Sequence, residues 1–196
     1  MLNKWIKFLM VPAIALSLSA CGINSVPTAE ENAKAKWADV ESSYQRRADL
    51  IPNLVETVKG FATQEQDTLT AVVEARAKAT SIQLNADDLD DPAKVQEYAA
   101  AQGALSQGLG RLLATVEAYP ELKSNQNFLA LQSQLEGTEN RINVARRDYN
   151  EAVREYNTTI RTFPDIIGAK IIHVAKPMEP FQATTEGADE APEVKF

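Results

Sequence analysis

FLALQSQLEGTENRINVARRDYNEAVREYNTTIRTF, residues 128–163, is the stretch that decides the fold. Phe128, Leu135, Ile142, Tyr149, Tyr156 and Phe163 recur every seven residues. Three positions further on stand Leu131, Thr138, Ala145, Ala152 and Thr159. A row of large side chains beside a row of mostly small ones suits close helix packing. No proline falls between Glu121 and Phe163, and Gly137 is the one glycine there. The spacing predicts one helix of about 40 residues, roughly 60 Å long at a rise of 1.5 Å per residue.

The same period runs through the earlier chain. Trp37, Tyr44, Ile51, Val58, Val72 and Ala79 share one row, interrupted by Glu65. Val40, Leu54, Phe61, Ala75 and Ile82 share its companion, interrupted by Arg47 and Thr68. Pro52 removes one backbone bond and its ring crowds the carbonyl of Ala48, so a bend is expected there. Gly60 is a second weak point. A further helix starts at Asp91-Pro92, a capping residue followed by proline at the first helical position. It runs through Tyr98, Leu105 and Leu112 to Tyr119-Pro120, and the aspartate-rich loop from Asn85 to Asp91 precedes it. The reading is all-α: an elongated antiparallel bundle of three long helices, or four if the first breaks between Pro52 and Gly60.

Charges in the apolar rows need partners. A turn centred near residue 88 sets Glu65 level with Arg111, and these two are expected to form a structural ion pair that fixes register. Lining of a ligand groove by Arg47 or Glu65 is the alternative. Arg147, Arg154 and Arg161 form a seven-residue row away from the apolar rows. This row is a solvated face, partly neutralised by Glu151, or a candidate interaction surface for a partner or lipid headgroup.

The N-terminus fixes the compartment. Lys4 and Lys7 precede an uncharged, mostly apolar run from Phe8 to Ala20, and Leu18-Ser19-Ala20-Cys21 follows. That order reads as residues 1–20 being a lipoprotein export signal, cut before Cys21, the only cysteine. Thirteen residues are short for a spanning helix, which needs about 20, though an uncleaved span or an ordinary signal peptide remain alternatives. Acylation of Cys21 would anchor the chain to a membrane on its non-cytoplasmic side. Gly22, where an aspartate would favour inner-membrane retention, tilts the expectation to an outer membrane where one exists. Residues 21–29 then form a polar tether and 30–163 the bundle.

Beyond it, Ile166-Ile167 and Ile171-Ile172 are expected to pack as a short extension, 164–182, against the end of the bundle. Residues 183–196 are acidic and expected to be disordered. Loss of the signal removes Lys4 and Lys7 and moves the net charge from −7 to −9, which argues against nucleic-acid binding.

Reactive chemistry is hard to find. His173 is the only histidine, and after acylation no thiol remains, so no metal site is expected. The serines lack a glycine elbow. Gly103, Gly108 and Gly110 match no phosphate loop and are read as close-approach points between helices. Tyr149 and Tyr156 are core at this spacing, and no Glu-x-x-His pair suggests a di-iron bundle. No catalytic residue, metal or cofactor is expected, and the chain is read as not an enzyme.

Tyr44-Gln45-Arg46-Arg47-Ala48-Asp49-Leu50-Ile51-Pro52-Asn53-Leu54 resembles the LemA family. So do Glu74-Ala75-Arg76-Ala77, Tyr119-Pro120-Glu121-Leu122-Lys123-Ser124-Asn125-Gln126-Asn127-Phe128 and Glu136-Gly137-Thr138-Glu139-Asn140-Arg141-Ile142. The blocks cover most of residues 37–164. The resemblance implies a membrane-attached helical bundle facing away from the cytoplasm, and it carries no catalytic residues. Many relatives look anchored by an uncleaved hydrophobic helix, whereas this chain looks lipid-anchored.

Two functions compete. One is a non-catalytic envelope scaffold or adaptor, with the membrane and another envelope protein as partners. The other is a periplasmic binding protein for a peptide or small ligand, which would need a pocket lined by Arg47, Tyr44 and Tyr149.

Overall fold

In the computed structural model the backbone is described for residues 2–182 and the side chains for residues 23–182. Helix α1 spans Leu2–Lys59, α2 Gln66–Ser81 and α3 Pro92–Val116. The short α4 covers Pro120–Lys123, α5 covers Gln126–Thr159 and α6 covers Asp165–Gly168. A 3-10 turn at Ala86–Asp88 precedes α3, and a π turn at Ala169–His173 follows α6. Among the described residues there is no strand. The fold is the all-α bundle, with the first predicted helix divided so that four long helices result.

The division falls at Gly60, not at Pro52. α1 runs through Pro52 because the carbonyl this proline strands, that of Ala48, accepts a bond from Arg76 Nε on α2 at 2.7 Å. Pro27 is handled alike: the carbonyl of Ile23 accepts from His173 Nε2 at 3.0 Å, which makes Nε2 the protonated nitrogen. Residues 23–29, read as a tether, instead continue α1 and bury Val26. After the break, Phe61 leaves the apolar row for solvent and Ala62 is buried in its place.

Caps set the other boundaries. Asp91 accepts from the amides of Ala93 and Lys94 at the head of α3. Asn125 does the same for Asn127 and Phe128, so α5 has 34 residues rather than about 40. Phe163, the last member of the seven-residue row, lies past the end of α5 at a cis bond to Pro164 and is 72% exposed.

α1 packs along α5, α2 packs along α3, and α1 meets α2, while the backbones of α3 and α5 do not approach closely. The apolar core has two parts. One surrounds Trp37, whose ring meets Tyr98 and Tyr149 edge-on and stacks with Phe181. The other gathers Ile51, Leu54, Val72, Leu105, Leu112, Phe128 and Leu135. The glycines of α3 do not all serve close approach. Gly108 faces Val72, but a Cβ at Gly110 would meet nothing within 4 Å.

The chain after the π turn forms a strap along α5. Asn157 accepts the amide of Met178 at 2.9 Å and donates to its carbonyl at 2.8 Å. Seven residues back, Asn150 does the same for Phe181, at 2.7 and 2.8 Å. Rungs seven residues apart on a helix are about 10.5 Å apart, so three strap residues bridge them at about 3.5 Å each, the rise of an extended chain. Met178 and Phe181 are buried, and the Glu179 amide donates to the carbonyl of Leu89. The core thus extends from Val26 to Phe181, wider than residues 30–163. The expected acidic tail, 183–196, lies outside the described residues, as does the side chain of Cys21.

Candidate functional site

Arg47 sits on α1 at the level where the two apolar clusters divide. Its side chain is 1% exposed, and a buried guanidinium needs acceptors on every side. Nη1 donates to Ser106 Oγ at 2.6 Å and to Glu139 Oε1 at 2.9 Å. Nη2 donates to Gln102 Oε1 at 2.8 Å and to the Gln102 carbonyl at 3.1 Å. Gln102 Nε2 passes the network to α2 by donating to the carbonyl of Ala79 at 3.2 Å. One cation therefore ties α1, α3 and α5 directly, and α2 through Gln102. The guanidinium also lies 4.9 Å from the centroid of the Tyr44 ring. Burial holds the Tyr44 hydroxyl above its ordinary range, against the lowering influence of Arg146 and Arg47. Arg47 Nε has no hydrogen-bond partner.

Above this layer, the separation of α3 from α5 leaves a groove of about 720 Å³. Tyr44 and Arg47 form its base, Gln96, Gly103 and Gln107 one wall, and Glu139, Asn143 and Arg146 the other. The strap closes one end. Arg146 lies over the Phe181 ring at 4.8 Å and donates to the Gln182 carbonyl at 2.9 Å. Carboxamides of Gln96, Gln102, Gln107, Asn143 and Gln182 stand among its alanines and prolines, so the groove offers hydrogen bonds to a guest as well as apolar surface. Among the described residues, no group of three or more His, Cys, Asp or Glu side chains is placed to hold a metal ion. No helix there is long and apolar enough to cross a membrane.

The expected Glu65–Arg111 pair does not form. Glu65 accepts from the Tyr119 hydroxyl at 2.9 Å, and that bond, before burial, raises the tyrosine pKa. Arg111 is exposed. The cause is register: Gly108 faces Val72 and Gln102 bonds Ala79, which centres the α2–α3 hairpin near residue 90 rather than 88. That shift moves Glu65 past Arg111 by about one helical turn. Arg147 and Arg154 lie on the exposed face of α5, and Arg161, also exposed, lies just past its end. Glu151 pairs with Arg154 at 3.1 Å rather than with Arg147. Tyr44 and Arg47 line the groove, but Tyr149 is sealed behind the strap, donating to the Glu179 carbonyl at 2.9 Å.

Sequence reasoning singled out Arg47 but missed Gln102, Glu139 and the asparagine rungs. The rungs carry a visible signal, since Asn143, Asn150 and Asn157 are spaced by sevens. Asn143, the third in the row, lines the groove and holds no strap residue among those described.

Residues 36–196 match the model of the LemA family. Magnetosome protein MamQ 2 of Paramagnetospirillum magneticum is 29% identical over 145 residues, 66% of this chain and 53% of that protein. Magnetosome protein MamQ of Magnetospirillum gryphiswaldense is 27% identical over 143 residues, 65% of this chain and 53% of that protein. The chain thus spans about half the length of the curated relatives it matches.

Proposed function

The chain belongs to the LemA family, and on that premise we propose a membrane-associated, non-catalytic envelope protein that presents its bundle to another envelope protein as a scaffold or adaptor. The observation that supports this reading is how Arg47 is used. Four of its five N–H groups are bonded to Ser106, Glu139 and Gln102, so the one charged side chain buried among the described residues is a tie between helices. The rigid body is carried by acyl chains on Cys21, on the non-cytoplasmic side of a membrane and of the outer one where two exist. Of the exposed row Arg147, Arg154 and Arg161, the two members on α5, Arg147 and Arg154, are the surface offered to the partner. Photo-crosslinkers at positions 147 and 154, activated in intact cells, test it. A discrete adduct absent with a crosslinker at Ser133 is expected, and recovery of only the uncrosslinked chain counts against a partner.

A second reading is favoured by Asn143. Two rungs of its row hold an extended main chain, and this third one faces an open groove, so the groove suits an extended peptide. A panel of peptides patterned on residues 177–182 tests it. Binding that disappears in Asn143→Ala supports the reading, and binding indifferent to that change, or no binding, removes it.

A further inference from the structure

Six of the ten large apolar side chains left exposed among the described residues belong to one end of the bundle: Ile23, Phe163, Ile167, Ile171, Ile172 and Val174. Single exposed apolar residues are ordinary, whereas a contiguous group marks a contact surface. The sequence led us to expect Ile167, Ile171 and Ile172 to pack inward. Instead Gly168 and Ala169 turn inward and the isoleucines point out, Ile171 being 76% exposed. Two bonds pin this segment beside the start of the described side chains. Ser25 Oγ donates to the Asp165 carboxylate at 2.5 Å, and His173 donates to the Ile23 carbonyl. Ile23 follows Cys21 by two residues and the apolar run Phe8–Ala20 by three. Arg161 and Lys170 are exposed in the same segment, and neither forms an ion pair among the described residues.

We propose that this end is a lipid-facing cap. Phe163, Ile167, Ile171 and Ile172 enter the interface of the membrane that holds the N-terminus, and Arg161 and Lys170 meet its phosphates. Apolar side chains flanked by cations are the composition that lies in a bilayer interface. The cap rests on the membrane association proposed above and adds an orientation: the bundle stands on the bilayer by this end, with the groove and the N-terminal part of α5 held clear of it.

The test uses the full acylated chain in vesicles of mixed zwitterionic and anionic phospholipid. Acylation converts the only native thiol to a thioether, so Phe163→Cys can be labelled alone with an environment-sensitive dye. Ser133→Cys, many turns away on α5, is the control. The dye at 163 is expected to shift to the blue and lose most of its emission to lipids brominated near the glycerol, while the dye at 133 does neither. Adding Ile171→Asp and Ile172→Asp should abolish that quenching without changing flotation or helical content, since both side chains are already largely exposed. Vesicle-floated protein whose dye at 163 behaves like the dye at 133 overturns the cap alone. Protein that does not float with vesicles overturns the cap together with membrane association.

Discussion

Replacing Arg47 with methionine isolates the central tie, because the stem volume is largely kept and the guanidinium is lost. Its four bonds go to acceptors of unequal exposure. Glu139 is 42% exposed and can turn to water, and Ser106 is exposed. The Gln102 carbonyl still accepts from Ser106 Oγ at 3.2 Å, so Gln102 Oε1 is the acceptor left buried and alone. A stranded buried acceptor costs about 1–3 kcal/mol, and loss of one partner of a fully buried ion pair about 3–5. With one partner half in solvent, the expected loss is about 2–4 kcal/mol. For a chain of this size that is a drop in Tm of roughly 4–16 °C. Glu139→Gln keeps an acceptor oxygen at the exposed end and should cost only about 1 kcal/mol. Gln102→Leu in the Arg47→Met background should recover part of the loss, because it removes the stranded oxygen. Urea unfolding followed by circular dichroism gives all four values. An Arg47→Met chain as stable as the parent, or a Glu139→Gln loss equal to that of Arg47→Met, would refute the reasoning.

Other outcomes follow from the same geometry. Arg76→Met strands the Ala48 carbonyl and should cost about 1–3 kcal/mol, but much less in a Pro52→Ala background, where a restored amide takes that carbonyl; equal losses in both backgrounds would break the link. Burial holds the Tyr98 and Tyr149 hydroxyls above their ordinary value of 10.0. Both folded and unfolded states are protonated below that value, so the contribution is complete there. Above it the unfolded chain releases protons that the fold retains, and stability falls by about 1.4 kcal/mol per pH unit for each tyrosine. Tyr98→Phe should flatten the alkaline limb of a stability–pH curve by that slope, and an unchanged limb would contradict the assignment. Gly110→Ala and Gly137→Ala place a methyl where nothing lies within 4 Å. Each should raise stability by up to about 1 kcal/mol through helix propensity, and a fall in Tm would show a packing constraint that the geometry lacks.

The helices were legible because their buried rows are periodic: Phe128, Leu135, Ile142, Tyr149 and Tyr156 are all buried. Asp91 marked one beginning through cap chemistry that is local in sequence, whereas Asn125, which caps α5 in the same way, went unread and left that helix predicted too long. What failed depended on distant partners. A bend was expected at Pro52, but Arg76, from another helix, supplies a donor to the stranded carbonyl. Glu65 was assigned to Arg111 because an error of two residues in a turn centre doubles to four residues of register between the arms. Arg47 was visible as a charge in an apolar row, yet its acceptors come from two other helices whose relative heights no single period encodes. The strap has no helical period at all. Its order comes from Asn150 and Asn157, which hold main chain and so place little demand on its side chains.

The propping of α1 at Pro27 and Pro52 has a mechanical consequence. A helix with two unrepaired carbonyl gaps would flex at each, and a push at one end would be absorbed there. With Arg76 and His173 closing the gaps, the rod between Ile23 and Lys59 has no soft joint. A tilt imposed near Ile23 then has no open proline joint to relax at before Arg47, about 36 Å along the axis. There it meets α3 and α5 directly and α2 through Gln102, which favours the body leaning as a lever over shearing layer by layer.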